Sequence, residues 1–166
     1  SVLADGGLYG LLALRSSDNG RIQKFYPTVG HLIDGAVAFD EKGYDSYFGL
    51  ATYDKDGSRK ADNVKELKSF FLDLDCGPSK DYANQSDALE ALRKFCDKLK
   101  LPNPLKINSG RGVHVYWVLT ESVGAENWLP IATRLKALCA KHNLLADVAV
   151  TADVCRVLRV PTTHNH

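Results

Sequence analysis

The sequence has 166 residues, 45% of them hydrophobic and 25% charged, and 21 basic against 20 acidic side chains leave a formal net charge of +1. That composition excludes a disordered chain, a fibrous repeat and a disulfide-dense mini-protein, and it fits one domain or two small subdomains sharing a core. Near-neutrality excludes a generic sink for nucleic acid, so positive charge that meets nucleic acid must be concentrated locally. The longest apolar runs fall far short of the ~20 residues of a membrane-spanning helix, and no membrane partner is expected.

In chain order, Tyr9 to Arg15 reads as a strand, Ser16 to Gly20 as a turn and Arg21 to Tyr26 as the hairpin partner. From Thr28 the apolar positions Leu32, Ile33, Ala36 and Val37 recur at helical spacing until Gly43, which suits a helix terminus. Tyr47 to Tyr53 is a further strand, and the polar stretch Asp54 to Asn63 is a loop. Ser69 to Asp75 reads as a strand, Ser86 to Leu99 as an amphipathic helix, and Leu105 to Ser109 and Val113 to Leu119 as strands joined through Gly110-Arg111-Gly112. A second amphipathic helix carries Trp128, Ile131, Leu135, Cys139 and His142, with Pro130 placed near its first turn, and Arg156 to Val160 is the last strand.

The order predicts an α+β fold: a ferredoxin-like βαββαβ core of the RNA-recognition type, residues 67–166, preceded by a small ββαβ subdomain, residues 1–66. In such a core the first strand lies between the third and the fourth and runs antiparallel to both. The end of the first strand, the turn between the second and third, and the entry to the fourth then meet at one edge. Cys76, Cys96, Cys139 and Cys155 are too widely spaced for a C-x-x-C metal knuckle and read as reduced packing residues of a cytoplasmic protein. With no methionine and an abrupt end at Thr163-His164-Asn165-His166, the chain is expected to be a domain excised from a longer protein.

Three segments at that edge carry chemistry. In Phe70-Phe71-Leu72-Asp73-Leu74-Asp75 strand alternation puts both carboxylates on one face, their Cα atoms about 6–7 Å apart, and a divalent cation relieves their repulsion. Ser109-Gly110-Arg111-Gly112-Val113-His114 offers backbone N–H groups between two glycines, a guanidinium and an imidazole, all donors for phosphate oxygens. Asp147, Asp153, Arg156 and Arg159 add carboxylates and guanidiniums from the last segment. Taken singly, these are two acids at a strand end, a glycine hairpin and a helix cap beside surface arginines; together they form the constellation of two-metal phosphoryl or nucleotidyl transfer.

The runs FFLDLD, SGRGVH and D-x5-D-x2-RVLRVP, in this order and spacing, resemble motifs I, II and III of the archaeo-eukaryotic primase superfamily. The likeness is greatest to the bifunctional primase-polymerases of phages, plasmids and mobile elements, and it extends from about Tyr9 to the terminus. The resemblance implies that Asp73, Asp75 and Asp147 bind two divalent ions, Mg²⁺ or Mn²⁺. It implies that Ser109, Arg111, Gly112 and His114, with Arg156, Arg159 and Asn165, hold the triphosphate of an incoming nucleotide, and it gives Asp153 a positioning role. It further implies a single-stranded DNA template and a primer, nucleoside triphosphates as substrates, a helicase or helical accessory domain elsewhere in the full-length chain, and the cytoplasm of a bacterial host. Arg59, Lys60, Lys65 and Lys68 are candidates for template contact. The family commonly reads R-x-P-G-[ST] where this chain has Arg159-Val160-Pro161-Thr162-Thr163, so Thr162 is expected to alter the turn that presents Asn165.

Three rival readings use the same residues. His164-Asn165-His166 spells the histidine pair of a nicking endonuclease, although no tyrosine nucleophile is placed on a helix nearby. A dehalogenase-like phosphatase also uses D-x-D after an apolar strand, but in a parallel sheet that the predicted hairpin contradicts. A non-catalytic module for single-stranded nucleic acid needs exposed aromatics on its central strands, for which Tyr116 and Trp117 are available.

Overall fold

A computed structural model describes residues 1–166. The strands are β1 (Leu8–Arg15), β2 (Gly20–Tyr26), β3 (Asp45–Tyr53), β4 (Val64–Asp75), β5 (Leu105–Asn108), β6 (Gly112–Val123) and β7 (Val157–Arg159). The helices are α1 (Val29–Asp40), α2 (Gln85–Leu99) and α3 (Ala125–Lys141). The strands form one seven-stranded sheet in the order β2-β1-β3-β4-β6-β5, with β7 paired to β3, and every ladder is antiparallel. The mixed α+β class expected from the element order is the class observed. The sheet is continuous across the 66/67 boundary, which falls inside β4.

The helices begin where capping chemistry allows. Thr28 caps α1 by accepting a hydrogen bond from the His31 N–H at 3.2 Å, and Asn84 caps α2 by accepting from the Asp87 N–H at 3.0 Å. In α1 the buried stripe is Leu32, Ala36 and Phe39, while Ile33 and Val37 of the expected apolar face lie about half exposed. Trp128 locks α3 to the sheet: it is fully buried, its indole N–H donates to the Ser69 carbonyl at 2.9 Å, and its ring stacks on Phe70 and Phe71. Because α3 starts at Ala125, Pro130 lies in its second turn rather than its first, and the Glu126 carbonyl loses its helical donor there.

Two apolar clusters share the sheet. Leu72 and Leu74 of β4, with Val113 and Val115 of β6, pack against Ala88, Leu92 and Phe95 of α2 and Leu135 and Cys139 of α3. Asp73, Asp75 and His114 stand on the opposite face. All four cysteines are free, as expected of packing residues, and three are buried.

The last strand departs from the ferredoxin-like expectation. β4 runs antiparallel to β6, as expected, but β7 pairs with β3 (Tyr47↔Arg159, Phe48↔Leu158, Gly49↔Val157) and not with β4. The reason lies in the long β3, which pairs with β4 only through Ala51 to Tyr53 and leaves its first half with a free edge. β7 satisfies the hydrogen-bonding groups of that edge. The segment preceding β7 touches β4 through one backbone bond, Asp147 N–H to the Asp73 carbonyl at 2.9 Å. The three chemical segments still meet, across the gap between the diverging β3 and β4.

Candidate functional site

The site begins with register. Asp73 pairs directly with His114 across β4 and β6, and Asp75 pairs with Gly112, so motif residues from two distant segments are neighbours on one face. A Cβ on Gly112 would lie 2.3 Å from the Leu74 carbonyl oxygen, so only glycine allows the turn to close this tightly on β4. Gly110 serves differently: its φ of +89° is the left-handed conformation the turn needs, with open space around it. Gln85, from the first turn of α2, donates to the Asn108 side chain at 2.8 Å and to the Gly112 carbonyl at 3.1 Å, which braces the turn.

Tyr47, Asp73, Asp75, Ser109, Arg111, His114, Arg156, Arg159 and Asn165 line one cavity of about 210 Å³, with Val157 and Leu158. Six of the seven anion-binding candidates are therefore brought together around Asp73 and Asp75. Gly112, the seventh, forms the turn behind them. A second hollow of about 320 Å³ shares Ser109, His114, Arg159 and Asn165 with the first and extends over Gly110 and Thr162.

Asp147 does not line the main cavity. It lies on the far side of Asp75 in a separate hollow, its carboxylate 3.7 Å from Arg156 Nη2. It is close enough to act on Asp73 electrically: burial first, then the charges of Asp75 and Asp147, push the Asp73 carboxyl up to about 6. Asp153 instead accepts the Cys155 N–H at 2.9 Å. The ligand atoms of Asp73, Asp75 and Asp147 are not gathered within 4.8 Å of one another, and Lys80 Nζ lies 2.8 Å from Asp75 Oδ2. Three carboxylate groups supply negative charge and hard oxygen donors, a donor set that fits Mg²⁺ or Mn²⁺.

Across the cavity the charge is reversed. Arg111 accepts the Cys76 N–H at its backbone carbonyl at 2.8 Å, while its guanidinium makes no hydrogen bond or ion pair. The buried Nε of Arg156 and Nδ1 of His114 have no partner, whereas buried polar atoms are normally paired, so these two donors suit an anion entering the cavity. Burial, and then the guanidiniums of Arg159 and Arg156, push the His114 imidazole down to about 4, so it is neutral at physiological pH. Its Nε2 stands 3.9 Å from Asp73 Oδ1.

Arg159 is the most constrained cation in the site. Nη1 donates to Asp45 Oδ1 at 2.8 Å and to the His164 carbonyl at 2.9 Å, while Nη2 donates to the Tyr47 hydroxyl at 3.0 Å and to Asn165 Oδ1 at 2.6 Å. Asp45 and Tyr47 were not reached by sequence reasoning. They belong to no motif, and their signal was only that they alternate on one face of the strand that β7 came to pair with. Thr162 was expected to disturb the turn presenting Asn165. Thr162 adopts a φ of +70°, the left-handed conformation that glycine supplies at lower cost, and Asn165 reaches both the cavity and Arg159.

Two further expectations change. Arg59 is committed inward, donating to Gln23 Oε1 at 2.9 Å and to the Cys155 carbonyl at 3.2 Å, and Lys68 is paired with Asp5; Lys60 and Lys65 remain exposed. Tyr116 is buried in the core and Trp117 points to the opposite face with its N–H on the Pro102 carbonyl, so neither ring is offered for base stacking beside the aspartates.

No family model matches the chain. It is 32% identical over 130 residues to a replication protein of Clostridium perfringens, a stretch covering 72% of this chain and 29% of that protein's length. Among solved structures it resembles the AEP domain of the cyanophage S-2L primase-polymerase, with a TM-score of 0.64, 19% identity, and 93% of this chain and 72% of that one covered. It also resembles the primase RepB′ (TM-score 0.61, 12% identity, 97% and 46% covered). A third likeness is the polymerase domain of Mycobacterium tuberculosis ligase D in complex with DNA (0.60, 13%, 95% and 69%). No helix is long and apolar enough to cross a membrane. The chain carries the archaeo-eukaryotic primase-type fold.

Proposed function

We propose that this chain is the catalytic domain of a replication-associated primase-polymerase and joins nucleotides on a single-stranded DNA template. The observation that carries the reading is the single cavity in which Asp73 and Asp75 face Arg111, the unpartnered Arg156 Nε, the unpartnered His114 Nδ1 and the braced Arg159. The likenesses to a replication protein and to primase and polymerase domains, one of them bound to DNA, support the same activity.

Asp73, Asp75 and Asp147 would hold two divalent ions, Mg²⁺ or Mn²⁺. Bound there, such ions lower the pKa of an attacking 3′-hydroxyl and stabilise the pyrophosphate leaving group. The residues of this chain do the positioning. Ser109, Arg111 and the Gly112 backbone face the triphosphate from the turn, and Arg156 and Arg159 face it from the last segment. His114, neutral at physiological pH, offers a single N–H that orients an oxygen without competing for the ions' carboxylates. Asn165 and Tyr47 act through Arg159, fixing the plane of its guanidinium so that less freedom is lost when an anion binds. Most of the rate then derives from fixed geometry and preset charge.

In this reading residues 67–166 carry the catalytic groups. Residues 1–66 support them through Asp45 and Tyr47, and a helicase or helical accessory domain belongs to the rest of the protein. The near-neutral charge predicts weak template binding by this chain alone. The test is incorporation of labelled nucleotides on single-stranded template with Mg²⁺ or Mn²⁺, with and without primer. We expect incorporation by the parent and its loss in Asp73→Ala and Asp75→Ala with template binding retained. A folded parent that binds template and incorporates nothing under any of these conditions overturns the proposal.

A further inference from the structure

The histidine pair at the end of the chain is not used by the cavity. His164 Nδ1 lies 2.8 Å from Asp40 Oδ2 and His166 Nε2 lies 3.2 Å from Asp40 Oδ1, although Asp40 is more than 120 residues away in sequence. The three ligand atoms lie within 4.8 Å of one another, and they are the only such group of three in the protein. We propose that Asp40, His164 and His166 form a zinc site that clips the last segment onto the end of α1.

The donor chemistry separates this site from the cavity. Asp73, Asp75 and Asp147 supply only hard carboxylate oxygen, which suits Mg²⁺ or Mn²⁺, whereas two imidazoles and one carboxylate suit Zn²⁺. Tetrahedral zinc with bonds of ~2.0–2.1 Å needs ligand atoms ~3.4 Å apart; the two carboxylate–imidazole separations, 2.8 and 3.2 Å, lie a few tenths of an ångström below that, and all three ligand atoms lie within 4.8 Å of one another. The i, i+2 spacing on an extended segment sends both imidazoles to one side and Asn165 to the other, where it meets Arg159. Asp40 is also the last residue of α1, and no basic residue lies in that turn. A carboxylate at the negative end of a helix is destabilising unless a cation sits on it. His164 is largely exposed, so the fourth coordination position faces solvent and remains available to water.

The clip has a consequence for the cavity, which rests on the function proposed above. The carbonyl of His164 and the side chain of Asn165 both hold Arg159, so zinc that fixes His164 and His166 also fixes the guanidinium facing the nucleotide. Zinc and nucleoside triphosphate then tighten each other's binding by the same factor.

The test is metal binding by tag-free protein stripped of metal, read as zinc content after dialysis and as competition with a chromophoric chelator. The parent is expected to bind about one equivalent, since a site preformed in the native state binds without refolding. His164→Ala/His166→Ala is expected to bind none, while Asp73→Asn/Asp75→Asn keeps the zinc. Co²⁺ added to the parent reports nitrogen-rich tetrahedral coordination through its visible absorption, a readout that stands even if the histidine variant folds poorly. No zinc uptake by the parent, zinc retained by the double histidine variant, or zinc lost from the double aspartate variant overturns the site. None of these readouts involves nucleotide incorporation, so the clip and the polymerase activity fail or stand separately.

Discussion

Replacing Asp73 by asparagine removes one charge from the carboxylate group while keeping the side chain's shape, and its effect on stability follows from the site's electrostatics. Asp73 is 19% exposed, and burial together with Asp75 and Asp147 raises its carboxyl from 3.8 to about 6. A carboxyl with a folded value above its unfolded value favours the protonated form in the native state. Its ionisation therefore lowers stability as pH rises from about 4 to 6, and the loss is complete above 6. At 1.36 kcal/mol per pH unit the full penalty is about 3 kcal/mol, and residual solvent screening brings the expected value to about 1–3 kcal/mol. In urea titrations at pH 8 with EDTA, Asp73→Asn should be more stable than the parent by that amount, a midpoint shift of roughly 0.5–1.5 M for an m-value of ~2 kcal/mol/M. At pH 4 the difference should vanish, and Mn²⁺ at pH 8 should stabilise the parent but not the variant. An Asp73→Asn midpoint equal to or below the parent's at pH 8 in EDTA would refute the argument that burial and the neighbouring carboxylates penalise the ionised Asp73 in the absence of cations.

His114 titrates in the opposite sense: its folded value of about 4 lies below the ordinary 6.5, so stability is lost as pH falls from 6.5 to 4, by up to about 3 kcal/mol. In the parent this loss offsets the gain from protonating Asp73, so Asp73→Asn should show a steep acid limb below pH 6.5 that adding His114→Gln removes, measured by thermal unfolding. Gly112→Ala places a Cβ 2.3 Å from the Leu74 carbonyl and should cost about 2 kcal/mol in chemical denaturation, whereas Gly110→Ala, with open space but a positive φ, should cost about 1 kcal/mol. Equal costs at the two glycines would show that the turn does not press against β4. Thr162→Gly relieves a left-handed threonine and, after the added freedom of the unfolded chain, should stabilise by about 0.5–1 kcal/mol with Asn165 still holding Arg159. A lower melting temperature for Thr162→Gly would show that the threonine's own contacts outweigh its strain.

Legibility in the sequence tracked how local the determining physics was. The hairpin at Ser109–His114 follows from two glycines between apolar alternations, and both carboxylates share a face because strand side chains alternate. The helices were legible for the same reason, α1 beginning just after Thr28, where the helical spacing starts, although the capping role of Thr28 was seen only in the structure. Arg59 was misplaced because a polar loop says nothing about which of its cations turns inward. Its bonds to Gln23 and to the Cys155 carbonyl depend on segments 36 and 96 residues away.

By itself the sequence determined the element order, the α+β class and the residues able to meet at one edge, since each depends on period, turn chemistry and spacing within a short window. Tertiary structure alone decided that β7 joins β3 rather than β4, because that choice turns on an edge left free far from β7 in sequence. With it came the two residues that brace Arg159. Asp45 and Tyr47 enter the site only when β7 lies beside β3, and the same placement carries His164 and His166 to Asp40. Side-chain alternation and capping act over a few residues, whereas which strand edge is free is a property of the whole sheet.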